Sequence, residues 1–108
     1  MLNKLCQEAH LNAIEHGWWE EERTFGELIA LVHSELSEAL EEFRRSIEPT
    51  EIYYYKSGKP CGIPIELADV LIRIFDMCGK YGIDLDKAVQ IKMEYNKTRP
   101  WRHNNKKI

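Results

Sequence analysis

Residues Glu66–Asp76 read ELADVLIRIFD, and this stretch limits the possible folds more than any other. Seven of its eleven residues are apolar, and the other four, Glu66, Asp69, Arg73 and Asp76, all ionise. At about 100° per residue, the four charges fall within a helical strip roughly 80° wide. Every other side is apolar, which predicts a helix buried on most sides. Carboxylates are almost never buried without a partner, so the strip must meet water, an opposite charge or a metal ion. An ion pair from Arg73 to Asp69 or Asp76, at helical spacings of four and three, is the simplest structural outcome.

A second acidic helix precedes it. Thr24 with Glu27 three residues on forms a capping box. From there Phe25, Leu28, Ile29, Val32, Leu36, Ala39, Leu40 and Phe43 keep helical period. Glu35, Glu38 and Glu42 line one flank of that apolar stripe, and Glu41 points to the back. His33 lies on the opposite flank and reads as structural or interfacial.

Two further helices complete the reading. One spans about 2–15, with Leu2, Leu5, Cys6, Ala9 and Ala13 on one face and a stop near Gly17. The other spans about 84–97, capped by Asp84 and closed by Pro100. The ELADVLIRIFD helix itself runs from about 64, with Pro64 in its first turn, to about 80. Between the first two helices lies HGWWEEERTFGE, read as a loop. Residues 46–63 hold Pro49, Gly58, Pro60 and Gly62 and read as a connection. EIYYYK within it favours a strand but has no visible sheet to join. Four helices and no sheet predict an all-α bundle in one domain, 1–108.

Composition narrows the class. Apolar residues make up 44% and charged ones 31%, which excludes long disorder, and no apolar run reaches the roughly 18 residues of a membrane span. MLNKLCQEAHLN has no signal-peptide apolar region, and three cysteines without CxxC spacing suit a reducing compartment, so a cytoplasmic protein is expected. Residues 90–108 carry a net +5, leaving −8 for the rest. An acidic body with a basic tail (about 98–108) is not the charge pattern of a nucleic-acid binder.

Packing the two acidic helices antiparallel would bring Glu35 and Glu38 beside Glu66 and Asp69. Carboxylates about 4 Å apart repel by roughly 4 kcal/mol per pair at an effective dielectric near 20. Such a cluster needs protons or cations. A hard oxygen donor set without Cys or His suits Mg²⁺, with Mn²⁺ as a substitute. The absence of Glu-x-x-His speaks against a di-iron carboxylate bundle.

Glu-x-x-Glu on one helix followed by Glu-x-x-Asp on the next resembles the all-α nucleoside triphosphate pyrophosphohydrolases of the MazG-like group. HGWWEEERTFGELIALVHSELSEALEEFR, GIPIELADVLIRIFD and KMEYNKTRPWRHNNKKI look like three blocks of its short members. The resemblance implies a bundle assembled as a homodimer or homotetramer. It also implies Mg²⁺-dependent cleavage between the α and β phosphates of a nucleoside triphosphate, giving monophosphate and pyrophosphate. By motif match Glu35, Glu38, Glu66 and Asp69 are the metal ligands, and Glu35 or Glu38 serves the attacking water.

Other candidates follow from residue chemistry. Lys92 and Asn96, one turn apart, and Arg99 just beyond can face phosphates. Trp18 and Trp19 are candidates to stack on a base, one of the two being expected to pack in the core, with His16 and Phe25 as pocket neighbours. Lys59 can reach a phosphate from the connection, and Asp76 can act as an outer acceptor behind the ligands. Two non-enzymatic classes share the pattern: a metal- or nucleotide-binding regulator, and a helical interaction module using the acidic strips for docking.

Overall fold

The structure is a computed structural model that describes residues 1–100; the rest of the basic tail, with Arg102, Lys106 and Lys107, lies outside the described residues. It is predominantly α-helical. The elements are α1 (Leu2–Glu15), a 3₁₀ turn (Trp18–Glu20), α2 (Phe25–Arg44), β1 (Tyr53–Tyr54), β2 (Pro60–Cys61), α3 (Ile63–Tyr81) and α4 (Leu85–Thr98).

Local chemistry sets the helix ends. The capping box starts α2: Glu27 N–H donates to Thr24 Oγ1 (3.1 Å) and Thr24 N–H to Glu27 Oε1 (3.3 Å). The helix ends in a Schellman turn, with Ser46 at φ 68° where glycine is usual. Pro64 opens α3, and Asp84 accepts from Lys87 N–H at the start of α4. α1 has no side-chain cap of its own. Its first turn instead donates to Asp86 of α4, from Leu2 N–H (2.9 Å) and Asn3 N–H (3.0 Å), so the two helix N-termini are clasped together.

α3 is the centre, with α1 and α2 packed against it. Both run antiparallel to it. Cys6 and His10 meet Gly79, whereas Glu35 meets Arg73 and Glu42 acts on Glu66. The α1–α3 contact depends on Gly79, because a Cβ there would lie 2.6 Å from the Cys6 carbonyl oxygen and 2.7 Å from His10 Cβ.

The connection corrects the sheetless expectation. Tyr53–Tyr54 pairs antiparallel with Pro60–Cys61, Tyr53 opposite Cys61, in a hairpin turned at Gly58 (φ 94°). Pro60–Cys61 has no strand propensity, which is why no partner was visible for EIYYYK. The hairpin is pinned to α2 by the Tyr53 hydroxyl, which donates to both carboxylate oxygens of buried Glu42 at 2.7 and 3.0 Å. That bond, with burial and the Glu42 charge behind it, pushes the Tyr53 pKa up to about 12.

The apolar faces are only partly covered. On α2, Leu28 and Ala39 are buried, but Leu40 is 55% and Phe43 59% exposed. On α3, Leu67, Leu71 and Ile72 are open, so that helix is less enclosed than its sequence predicts. α4 buries no residue and meets the body chiefly at its clasp with α1. The radius of gyration is 16.7 Å, against about 13 Å for a compact chain of this length. No described helix is long and apolar enough to cross a membrane.

Candidate functional site

The antiparallel contact of α2 with α3 gathers three half-buried carboxylates. Glu35, Glu66 and Asp69 each place a carboxylate oxygen within 4.8 Å of the others. Burial raises the Glu66 pKa, and the charges of Asp69, Glu35, Glu38 and Glu42 raise it further. Asp69 is raised for the same first reason and by Glu35, while Arg73 and Lys59 pull it back. Glu38 is exposed and outside this triad, though its charge reaches Glu66.

Arg73 does not make either of the intrahelical pairs expected of it. Its Nη2 lies 3.3 Å from Glu35 Oε1, across the helix contact. Asp76 is drawn elsewhere, because α1 and the 3₁₀ turn close over it. Its Oδ1 accepts from His10 Nδ1 (2.8 Å) and Trp19 Nε1 (2.9 Å).

A cavity of about 550 Å³ opens beside the carboxylates, between α1, the 3₁₀ turn and α3. Glu35, Asp69, Arg73 and Asp76 line one side, and Asn12, His16, Trp18 and Arg23 are among those facing them. The Trp18 ring is already stacked. Arg23 Cζ lies 3.8 Å and Arg73 Cζ 4.0 Å from its centre. Its indole N–H is buried with no acceptor among the described residues. Trp19 stands edge-on to His10 at 5.5 Å and, like Trp18, is only half-buried, so neither tryptophan is enclosed in the core. His16 lies at the cavity rim, its Nδ1 donating to the Asn12 carbonyl (2.8 Å). Phe25 instead packs edge-on against Tyr81.

Lys92, Asn96 and Arg99 are not brought to this site within the chain. None lines the cavity, and none is among the charges that shift Glu66 or Asp69. Lys92 and Arg99 instead lie over the Tyr95 ring, at 5.1 and 5.4 Å. The residues missed by sequence reasoning are Arg23 and Asn12. Arg23 sits in a stretch without periodicity, and Asn12 on a polar helix face, so no local pattern marks either.

Comparison of the chain with protein-family models, with curated proteins and with solved structures returns no match. The fold and site therefore define a class in structural terms: an α-helical protein with a three-carboxylate cluster beside an arginine- and tryptophan-walled cavity.

Proposed function

We propose that the protein is a Mg²⁺-dependent nucleoside triphosphate pyrophosphohydrolase on a four-helix bundle, with Mn²⁺ as a substitute. One observation carries the reading: Glu35, Glu66 and Asp69, from two helices, converge within 4.8 Å beside a cavity of about 550 Å³. The donor set fits a hard divalent cation, being all carboxylate, half-buried and short of positive charge. Glu35, Glu66 and Asp69 would hold the ion, and Glu38, one turn along α2, would complete the set. When bound, the ion supplies positive charge against the phosphates and acidifies water.

The chain's own residues do the rest. Glu35 or Glu38 orients a water and takes its proton as it attacks the α-phosphorus. The bond from that phosphorus to the bridging oxygen breaks, and pyrophosphate leaves with the electron pair. Lys59, whose charge acts on Asp69, would meet the phosphates. A base entering beside Trp18 would have to displace a stacked guanidinium.

We further propose a homodimer or homotetramer. Leu40, Phe43, Leu67 and Leu71 are exposed on the two site-bearing helices. α4 has 14 residues and buries none of them, and helices of about that length are marginal alone in water. Lys92, Asn96 and Arg99 would then serve the site of a neighbouring subunit. Light scattering at micromolar concentration should give a dimeric or tetrameric mass; a monomer counts against this.

The activity is tested by measuring pyrophosphate release from a panel of canonical and damaged nucleoside triphosphates, with and without Mg²⁺. Release that requires Mg²⁺ is expected. Binding of metal and nucleotide without release from any of them would make the protein a non-catalytic binder.

A further inference from the structure

Arg73 is held in two different ways at once. Its Nη2 is 3.3 Å from Glu35 Oε1, an ionic contact. Its Cζ is 4.0 Å from the centre of the Trp18 ring, a stacking contact. Arg23 stacks on that ring too, at 3.8 Å. Two guanidinium groups centred over one ring at these distances would collide on a single face, so they take opposite faces. Arg23 also donates from Nε to the Trp18 carbonyl at 3.2 Å, which ties its side chain to the backbone of the turn. The indole is thereby tied through Arg23, and Arg73 lies over the same ring from its other side.

The two holds differ in what can replace them. A divalent cation competes directly for Glu35, because both seek the same carboxylate. Nothing about cation binding disturbs the stacking on Trp18. A guanidinium displaced from Glu35 therefore stays at the cavity wall, which Trp18, Arg73 and Glu35 all line. There its fork of N–H donors matches the oxygens of a phosphate.

We infer that Arg73 is the resident counter-cation of the carboxylate cluster: it yields Glu35 to a divalent ion and, retained on Trp18, turns its donors to the phosphates of the substrate. This rests on the metal-dependent reading above and adds a regulation to it. Metal and phosphate binding become coupled through one side chain. Without phosphate, Arg73 weakens metal binding by competition. With metal in place, Arg73 is released to strengthen phosphate binding.

The test uses the intact protein, Mn²⁺ binding followed by electron paramagnetic resonance, and titration calorimetry with inorganic pyrophosphate, the proposed product. The complex that Mn²⁺ and pyrophosphate form in solution is common to all variants and cancels between them. Arg73→Gln should bind Mn²⁺ alone about fivefold more tightly than wild type, the scale of losing one partly exposed ion pair. It should bind pyrophosphate in the presence of Mn²⁺ about tenfold more weakly. Arg23→Gln removes the same charge from the other face of the ring and should shift Mn²⁺ affinity by less than about twofold. Arg73→Lys covers the case in which the glutamine variant does not fold. Lysine keeps the charge at Glu35 but cannot lie flat on the indole, so Mn²⁺ affinity stays near wild type while pyrophosphate binding weakens severalfold. If wild type binds no Mn²⁺, the metal-dependent reading itself fails. If wild type binds Mn²⁺ and Arg73→Gln binds it equally or more weakly, Arg73 is not the competing cation. If pyrophosphate affinity survives in Arg73→Gln and Arg73→Lys, the transfer to phosphate is wrong.

Discussion

Asp69 and Asp76 stand two turns apart on the same strip of α3, and the structure treats them in opposite ways. Asp76 is 5% exposed and accepts from His10 and Trp19, so its burial is compensated by hydrogen-bond donors. Asp69 is half-buried among carboxylates, and the charges of Arg73 and Lys59 only partly offset them. Burial alone therefore says little about the role of an acid. A carboxylate surrounded by donors holds the fold together. One surrounded by other carboxylates leaves a deficit of positive charge that a ligand can fill.

Substitutions at the two positions should separate these roles. At the cluster, Asp69→Asn and Glu38→Gln should each lower turnover by at least about a hundredfold at saturating Mg²⁺. Both should leave the melting temperature of the metal-free protein unchanged or raised. Near-wild-type turnover in either would remove that residue from the ligand set. At the other end, Asp76→Ala strands two donors and should cost about 2–3 kcal/mol, a fall in melting temperature on the order of 10 °C or more. An Asp76→Ala protein as stable as wild type would end the distinction drawn here.

Metal linkage should act at one end only. An ion that binds the native state alone adds about 2.7 kcal/mol at a hundredfold excess over Kd. Mg²⁺ should therefore raise the melting temperature by several degrees, and NaCl at equal ionic strength by much less. Glu66→Gln should melt near the metal-free wild type, or slightly above it, and lose most of the Mg²⁺ response. Equal shifts from Mg²⁺ and NaCl in wild type would mark the cluster as ordinary solvated surface.

The smallest effect is in pH. Burial and neighbouring charges raise Glu66 and Asp69 above their unfolded values. The native state thus binds more protons than the unfolded chain in the window from about pH 4 up to the raised values. Through that window these two groups make stability fall as pH rises. At the α1–α4 clasp the sign reverses. Hydrogen bonds from Asn3 and Lys87 lower Asp84, and those from Asn3 and Leu2 lower Asp86. Their contribution is present above about pH 4 and is lost as pH falls through the lowered values. In chelator, as pH falls from 7 towards 4, the melting temperature of wild type should gain slightly on that of the Glu66→Gln/Asp69→Asn double variant. Identical profiles would mean that the two acids are not perturbed.

What the sequence made legible was local, and what it hid was long-range. The capping box at Thr24, the Asp84 cap, Pro64 and the four helix spans depend on residues a few positions apart, and all are found in the structure. The two acidic strips were legible for the same reason, and antiparallel packing was enough to bring Glu35 to Glu66 and Asp69. The partners of Arg73 and Asp76 were not. Each had a plausible neighbour on its own helix, and each takes one 38 to 66 residues away instead. Periodicity tells which face of α3 is charged, but not which element closes over each turn of it. The uncovered rows at Leu40 and Phe43 were hidden likewise, since an apolar stripe reads the same whether its cover lies in the same chain or another.

The missing side chain at Gly79 gives α1 a mechanical character. The helix is a rod of about 21 Å, fastened at one end by Asp86 and resting on Gly79 through Cys6 and His10. Its other end carries Asn12 and His16 to the cavity wall. Gly79 is thus a fulcrum. A single methyl group there would tilt the rod and move its far end relative to α3, so the width of the cavity is set by a position that lines no part of it.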